Sequence, residues 1–254
     1  MGARPFYLGD DPMKTVAILA LVLAFLTAVL AVISGFGVRM EWWAYPFGFK
    51  LLRTAFVSGL VSGAVAIIAS AVGLAKKIPV QRIALPALFV SILVVTIPYV
   101  TVGEFRKIRT YADATTNLED PPAFVLLADA RKTTASNRPK FTAREAKAAQ
   151  RKYFPDLQSV TIPHPVAESS KKVREILLAM GLTIAPSSRS QERIEATDTS
   201  FWFGFKDDVV VVFKAMPDGS TKIDVRSASR VGKFDGGVNA KRVRAILTAL
   251  KKAQ

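Results

Sequence analysis

Three long apolar runs dominate the first 103 positions of the chain. The runs Thr15–Val38, Thr54–Ala75 and Ile83–Gly103 contain no charged residue. A helix rises about 1.5 Å per residue, so runs of about 20 residues or more cover the apolar core of a bilayer, which is roughly 30 Å thick. The pattern therefore predicts three transmembrane helices, which form an N-terminal membrane domain over residues 1–103.

The second run contains small residues at the spacing of one helical turn. Gly59 and Gly63 lie four positions apart, beside Ser58 and Ser62. This spacing makes a groove that another helix backbone can approach closely. We expect the groove to receive a helix of the same chain, and a homodimer or another membrane protein is the alternative partner. The spans contain no Asp, Glu, Lys, Arg or His, which argues against a transporter.

The loop between the first two spans, Arg39–Arg53, is rich in aromatic side chains, which are typical of the boundary between water and lipid. A hydrophobic ligand site in this loop is the alternative. Lysine and arginine are almost equally frequent on the two sides of the spans, so their count does not decide the orientation. The short loop Lys76–Arg82 is basic and has no acid, which favours the cytoplasm for this loop.

The second half of the chain has the pattern of a folded soluble domain. Ala167–Met180 and Ala240–Lys252 repeat apolar residues at helical spacing. Three runs have strand character, and Pro217-Asp218-Gly219 forms a hairpin turn between the last two; they are Arg193–Phe203, Asp207–Ala215 and Ser220–Ser229. We therefore predict an α+β domain over residues 104–254, in which helices pack on one face of an antiparallel sheet.

Composition divides at the same point and excludes several kinds of chemistry. The net charge is +15, of which residues 104–254 carry +10. The chain has no cysteine, so disulfides, zinc–thiolate sites, iron–sulfur clusters and cysteine nucleophiles are excluded. His164 is the one histidine in the chain, which removes sites with several histidines. The sequence predicts no metal site and no cofactor.

Several blocks of the soluble half resemble one bacterial family. The blocks that carry the resemblance are the run 117–124 (NLEDPPAF), Ile194–Asp198, Phe203–Val209, Ile223–Arg230 and Gly237–Arg242. In their order and spacing they resemble the family called domain of unknown function 1499, over about residues 105–252. The resemblance implies an exported or membrane-tethered envelope domain in bacteria, with relatives in chloroplasts and no established activity. It favours a periplasmic soluble half and a bacterial inner-membrane location.

Polar residues near the strand ends are the candidate ligand-binding positions. An arginine there is suited to holding an anionic group; the candidates are Asp198, Asp207, Asp208, Arg226, Arg230 and Asn239. The alternative is a network of ion pairs and turn hydrogen bonds that fixes the strand ends. A divalent cation at Asp198, Asp207 and Asp208 is less favoured, because their spacing matches no recognised cation loop.

A hydrolase acting on an envelope substrate is the competing function class. Ser227 and Ser229 lie in a strand rather than in a nucleophile elbow, and His164 stands between two prolines. No glycine-rich loop has the spacing of a dinucleotide-binding or phosphate-binding motif. We therefore assign no catalytic residue and predict a binding or scaffolding module at the membrane.

The basic segment 131–152 lies shortly after the third span and contains eight lysines and arginines. Anionic lipid headgroups are the more economical partner for this charge than nucleic acid, because the membrane is close. The predicted lipid-contacting residues are Lys132, Lys140, Arg144, Lys147, Arg151 and Lys152. A solvated loop that keeps the domain soluble is the alternative.

Overall fold

The structure is a computed structural model that describes residues 11–107, 111–134, 144–186 and 192–252. The chain divides into two compact units. One unit comprises Met1–Gly103 together with Trp202–Gly204, and the other comprises Glu104–Phe201 and Phe205–Gln254. We call them the helical unit and the C-terminal unit.

The helical unit contains α1 (Pro12–Arg39), α2 (Tyr45–Ala75) and all but the last turn of α3 (Gln81–Lys107). All three are helices that are long and apolar enough to cross a membrane, as the sequence predicted. Asp11 caps α1, because its side chain accepts a hydrogen bond from the backbone N–H of Met13 at 2.8 Å. Helix α2 begins earlier than its uncharged run, because the aromatic segment after Tyr45 is already helical, with a proline in its first turn.

Small residues set the close packing of these helices. A Cβ atom at Gly59 would lie 3.2 Å from the Val94 side chain, and one at Gly63 would lie 3.3 Å from the Ser91 side chain. Ser62 Oγ donates to the backbone carbonyl of Ala20 at 2.8 Å. Helix α3 of the same chain therefore lies against the predicted Gly59/Gly63 groove, and a homodimer through these glycines stays a prediction.

The C-terminal unit contains a six-stranded antiparallel sheet in the order β1-β6-β5-β4-β3, in which β2 also pairs with β6. Its strands are β1 (Asp113–Thr115), β2 (Val160–Ile162), β3 (Thr183–Ile184), β4 (Arg193–Thr199), β5 (Lys206–Ala215) and β6 (Thr221–Ser229). Its helices are α4 (Ala128–Thr134), α5 (Arg144–Tyr153), α6 (Val166–Ala179) and α7 (Val238–Lys252). The predicted α+β class with an antiparallel sheet is confirmed.

Both faces of the central strands are covered, but by different structures. Helices α6 and α7 pack on one face, where Val173, Leu177 and Ile246 are fully buried against the sheet. On the other face Phe124 packs against Val210 and Ala228. Burial on both faces explains why β5 has an unbroken valine run instead of alternating apolar and polar residues.

Candidate functional site

The strand register divides the six candidate ligand-binding residues between the two faces of the sheet. Asp198 on β4 lies opposite Asp207 on β5, and both side chains point to the face that α7 covers. Asp208 is the next residue, so its side chain points to the opposite face. Arg226 and Arg230 lie with Asp208, whereas Asn239 lies with Asp198 and Asp207. The six residues therefore form two clusters rather than one pocket.

The first group, which we call the loop-side cluster, is centred on Asp208 and covered by the segment 121–134. It comprises Asp113, Arg131, Glu195, Thr197, Asp208, Arg226 and Arg230. Asp208 is fully buried and accepts hydrogen bonds from Arg131 Nη1 at 2.8 Å and from Arg230 Nε at 2.9 Å. Thr197 Oγ1 donates to the same carboxylate at 2.8 Å. Two guanidinium groups and a hydroxyl thus hold one carboxylate away from water.

Arg226 forms the second ion pair of the loop-side cluster. Its Nε and Nη2 donate to the two carboxylate oxygens of Asp113 at 2.9 and 2.7 Å, and its Nη1 donates to the Pro122 carbonyl at 3.1 Å. The Phe124 ring lies 4.6 Å from the Arg131 guanidinium carbon and 5.0 Å from that of Arg226. Burial raises the pKa of Asp113, and the hydrogen bonds and positive charge of Arg226 oppose that effect.

Glu195 fixes the segment that covers this cluster. Its two carboxylate oxygens accept hydrogen bonds from the backbone N–H groups of Val125 and Leu127, at 2.8 and 2.9 Å. Arg193 lies at the edge of the cluster, with its Nη1 3.4 Å from Glu195 Oε1. Neither Arg131 nor Glu195 was among the predicted site residues. Arg131 was counted in the basic segment expected near lipid, but its side chain is fully buried beside Asp208.

The second group, which we call the helix-side cluster, is organised by Arg242 of α7. It comprises Asp198, Asp207, Ser227, Ser229, Asp235, Asn239 and Arg242. Arg242 Nη2 donates to Asp198 at 2.6 Å and to Asp207 at 2.9 Å, and its Nη1 donates to Ser227 Oγ at 3.0 Å. One side chain therefore joins the ends of β4 and β5 to the first turn of α7.

Asn239 is fully buried and uses both ends of its amide. Its Oδ1 accepts from Ser227 Oγ at 2.6 Å, and its Nδ2 donates to Ser229 Oγ at 2.9 Å and to Asp235 at 2.8 Å. Helix α7 begins at Val238, so Asn239 lies in its first turn, and the Asp235 carboxylate accepts from the backbone N–H groups of Gly237 and Asn239. Burial raises the pKa of Asp235, against the effect of these hydrogen bonds.

The structure does not bring Ser227 or Ser229, the two serines considered in the sequence, to His164. Ser227 Oγ bonds to Asn239 and Arg242. His164, near the start of α6, has its Nε2 2.8 Å from Lys172 Nζ and its Nδ1 3.2 Å from Glu168 Oε1. Within the part of the chain that the structure describes, no three His, Cys, Asp or Glu side chains are grouped so that they could hold a metal ion.

Five of the six predicted lipid-contacting residues lie on the surface of the C-terminal unit. The sixth, Lys140, is outside the described residues. Lys132 and Arg144 are exposed, and Lys132 pairs with Asp129 at 3.0 Å. Arg151 is exposed and pairs with Glu119 at 2.7 Å, and Lys147 is 3.8 Å from the same carboxylate. Lys152 Nζ lies 5.2 Å from the centre of the Tyr153 ring. Their contact with lipid stays a prediction.

Comparison with known proteins identifies the family but no activity. A family described as a protein of unknown function, DUF1499, matches residues 113–250, which include every strand of the sheet and both polar clusters. No curated protein matches the chain. The match covers more than half of the chain and agrees with the resemblance of the sequence blocks. The chain therefore belongs to the DUF1499 family, with three helices long and apolar enough to span a membrane preceding the family domain.

Proposed function

We propose that this chain is a multi-pass protein of the bacterial inner membrane whose C-terminal unit is a periplasmic binding or scaffolding module. The proposal rests on the contacts that the polar residues of the strands make. In both clusters, carboxylates are held by arginines of the same unit, as in the pairs of Asp208 with Arg131 and of Asp207 with Arg242. Such pairs fix the fold, so contact with partners falls to the outer surface.

A hydrolase has less support. Hydrolysis by a serine requires a base within hydrogen-bonding distance of the hydroxyl. The Ser227 hydroxyl donates instead to the Asn239 amide oxygen, and Arg242 donates to it. These contacts stabilise the packing of β6 against α7 and do not activate an oxygen nucleophile.

The partner that the surface charge favours is an anionic lipid headgroup. Arg144, Arg151 and Lys152 are exposed on α5, and Lys132 is exposed on α4. A lysine or arginine near an anionic bilayer contributes about 1 kcal/mol, and the attraction is screened over about 8 Å at physiological salt. We propose that α5 docks on the bilayer through these charges, so that docking weakens as salt rises.

Fluorescence from α5 in the full-length chain tests the docking. The chain has no cysteine, so Ala148→Cys at an exposed position of α5 accepts a single environment-sensitive fluorophore. In nanodiscs that contain spin-labelled lipid, we expect quenching when the lipid is anionic and little quenching when it is neutral. High salt should remove most of the quenching, because these charges are exposed to solvent.

The matched variants compare equal changes in charge. Changing Arg144, Lys147, Arg151 and Lys152 to glutamine should lower the quenching in anionic nanodiscs to its value in neutral ones. Changing four exposed lysines elsewhere (Lys171, Lys214, Lys241 and Lys251) should leave most of it. Equal quenching in neutral and anionic nanodiscs, or an equal loss in both sets of variants, would contradict docking through α5.

The proposed orientation places Lys76–Arg82 in the cytoplasm and Gln254 in the periplasm. Three spans put these two positions on opposite sides of the membrane. The basic loop and the exported character implied by the family resemblance support this direction. We expect an alkaline phosphatase fused after Gln254 to be active, and a fluorescent protein that folds only in the cytoplasm to be dark there. A bright fluorescent fusion after Gln254 would reverse the orientation.

A further inference from the structure

The turn between β4 and β5 exposes an aromatic side chain at its tip. This segment, 200–205, contains Phe201-Trp202-Phe203-Gly204, and we call it the aromatic turn. Phe201 is 79% exposed, more than any other large apolar side chain among the described residues. The Phe201 ring is therefore available for contact with an apolar partner outside the chain.

Hydrogen bonds across its base close the aromatic turn. The backbone N–H of Ser200 donates to the Phe205 carbonyl at 2.9 Å, and the Phe205 N–H donates to Ser200 Oγ at 2.8 Å. Gly204 has a φ of +66°, in the left-handed region that glycine adopts readily. The Trp202 and Phe203 rings pack edge to face with centres 5.0 Å apart. The exposure of Phe201 is therefore a property of a closed turn.

Two observations indicate lipid as the apolar partner. Trp202–Gly204 belong to the helical unit, whereas the strands on either side belong to the C-terminal unit. Three spans also place the C-terminal unit on the same side of the membrane as the α1–α2 connection. That connection and the start of α2 expose Trp42, Phe47 and Phe49, which are typical of a lipid–water boundary.

The link between α3 and the sheet limits how far β1 can lie from the end of α3. Helix α3 ends at Lys107 and β1 begins at Asp113. A fully extended chain spans at most about 3.5 Å per residue, so this link reaches roughly 20 Å. The lipid surface is therefore the nearest large apolar phase for an exposed ring of this unit.

We propose that the aromatic turn inserts Phe201 into the lipid–water interface and anchors the C-terminal unit there. The anchor depends on transfer of an apolar ring out of water, so it forms on neutral lipid and is insensitive to salt. It differs in this from the docking of α5, which requires anionic lipid. Either contact can fail while the other persists.

The test uses two single-cysteine labels on β5 of the full-length chain, which keep the aromatic turn intact. Lys206 and Lys214 are both exposed, at opposite ends of the strand. A strand rises about 3.4 Å per residue, so the two positions are roughly 27 Å apart. In nanodiscs of neutral lipid with a spin-labelled headgroup, we expect quenching at 206 to be several-fold stronger than at 214, at low and high salt alike.

Phe201 is then varied in the chain that carries the label at 206. Phe201→Asp should reduce the quenching to the level at 214, whereas Phe201→Leu should retain most of it, because leucine also partitions into lipid. Equal quenching at 206 and 214 in the chain with intact Phe201 would overturn the proposal. So would quenching at 206 that Phe201→Asp leaves unchanged, or that high salt removes.

Discussion

Replacing Asp208 with alanine lowers the free energy of unfolding of the C-terminal unit by about 3–5 kcal/mol, because it leaves buried charges uncompensated. Arg131 and Arg230 both donate to this carboxylate, and the Arg131 side chain is as fully buried as that of Asp208. The measurement is urea unfolding of the full-length chain, followed by hydrogen exchange of the β5 and β6 peptides.

A matched ion pair on the surface isolates the effect of burial. Asp156 and Arg244 form a two-point pair at 2.6 Å, but their side chains are 50% and 43% exposed. The hydrogen bonds from Arg244 lower the pKa of Asp156, so this carboxylate is ionised at neutral pH. Asp156→Ala should cost only about 0–1 kcal/mol, as exposed pairs do. If Asp208→Ala lowers the free energy of unfolding no more than Asp156→Ala does, the loop-side cluster does not stabilise the sheet.

Elements that repeat a pattern over many residues could be predicted from the sequence. The three spans, helices α6 and α7, and strands β4 to β6 each extend over enough residues to show a period. The strands β1, β2 and β3 have three, three and two residues, which is too short for alternation to be visible. Their positions depend on pairing with β6 or β4, so tertiary structure alone determines them.

The separation of the candidate residues into two faces was available from strand parity. Asp224 and Arg226 lie two positions apart in β6, so they share a face, and in the register Asp224 lies opposite Val212 and Arg226 opposite Val210. The same argument separates Asp207 from Asp208, since neighbouring strand residues point to opposite faces. The role of Arg131 could not be predicted in this way. Nothing in the sequence distinguishes it from the other basic residues of segment 131–152, and its contact with Asp208 forms only in the tertiary structure.

Asn239→Asp should be strongly destabilising at neutral pH and less so in acid. The change replaces the Nδ2 donor, 2.8 Å from the Asp235 carboxylate, by an oxygen, in a fully buried site. Two carboxylates at this distance cannot both ionise without repulsion, so the pKa of the pair rises above the unfolded value. We expect a cost of about 2–4 kcal/mol at pH 7. A group whose folded pKa is raised stabilises the fold at low pH and loses that contribution as pH rises, so the cost should shrink towards pH 4.

The same substitution in a turn provides the control. Asn117 Oδ1 accepts from the backbone N–H groups of Glu119 and Asp120 at 3.2 and 3.0 Å. An aspartate oxygen accepts the same two hydrogen bonds, so Asn117→Asp should change the free energy of unfolding by less than about 0.5 kcal/mol.

The measurement is urea unfolding of both variants between pH 4 and pH 7, with the β6 and α7 peptides followed by hydrogen exchange. Because Asn239 joins β6 to α7 through Ser227 and Ser229, its variant should expose both elements together. The prediction fails if the cost of Asn239→Asp does not change with pH, or if it equals the cost of Asn117→Asp. Either result would show that a carboxylate at position 239 does not repel the Asp235 carboxylate.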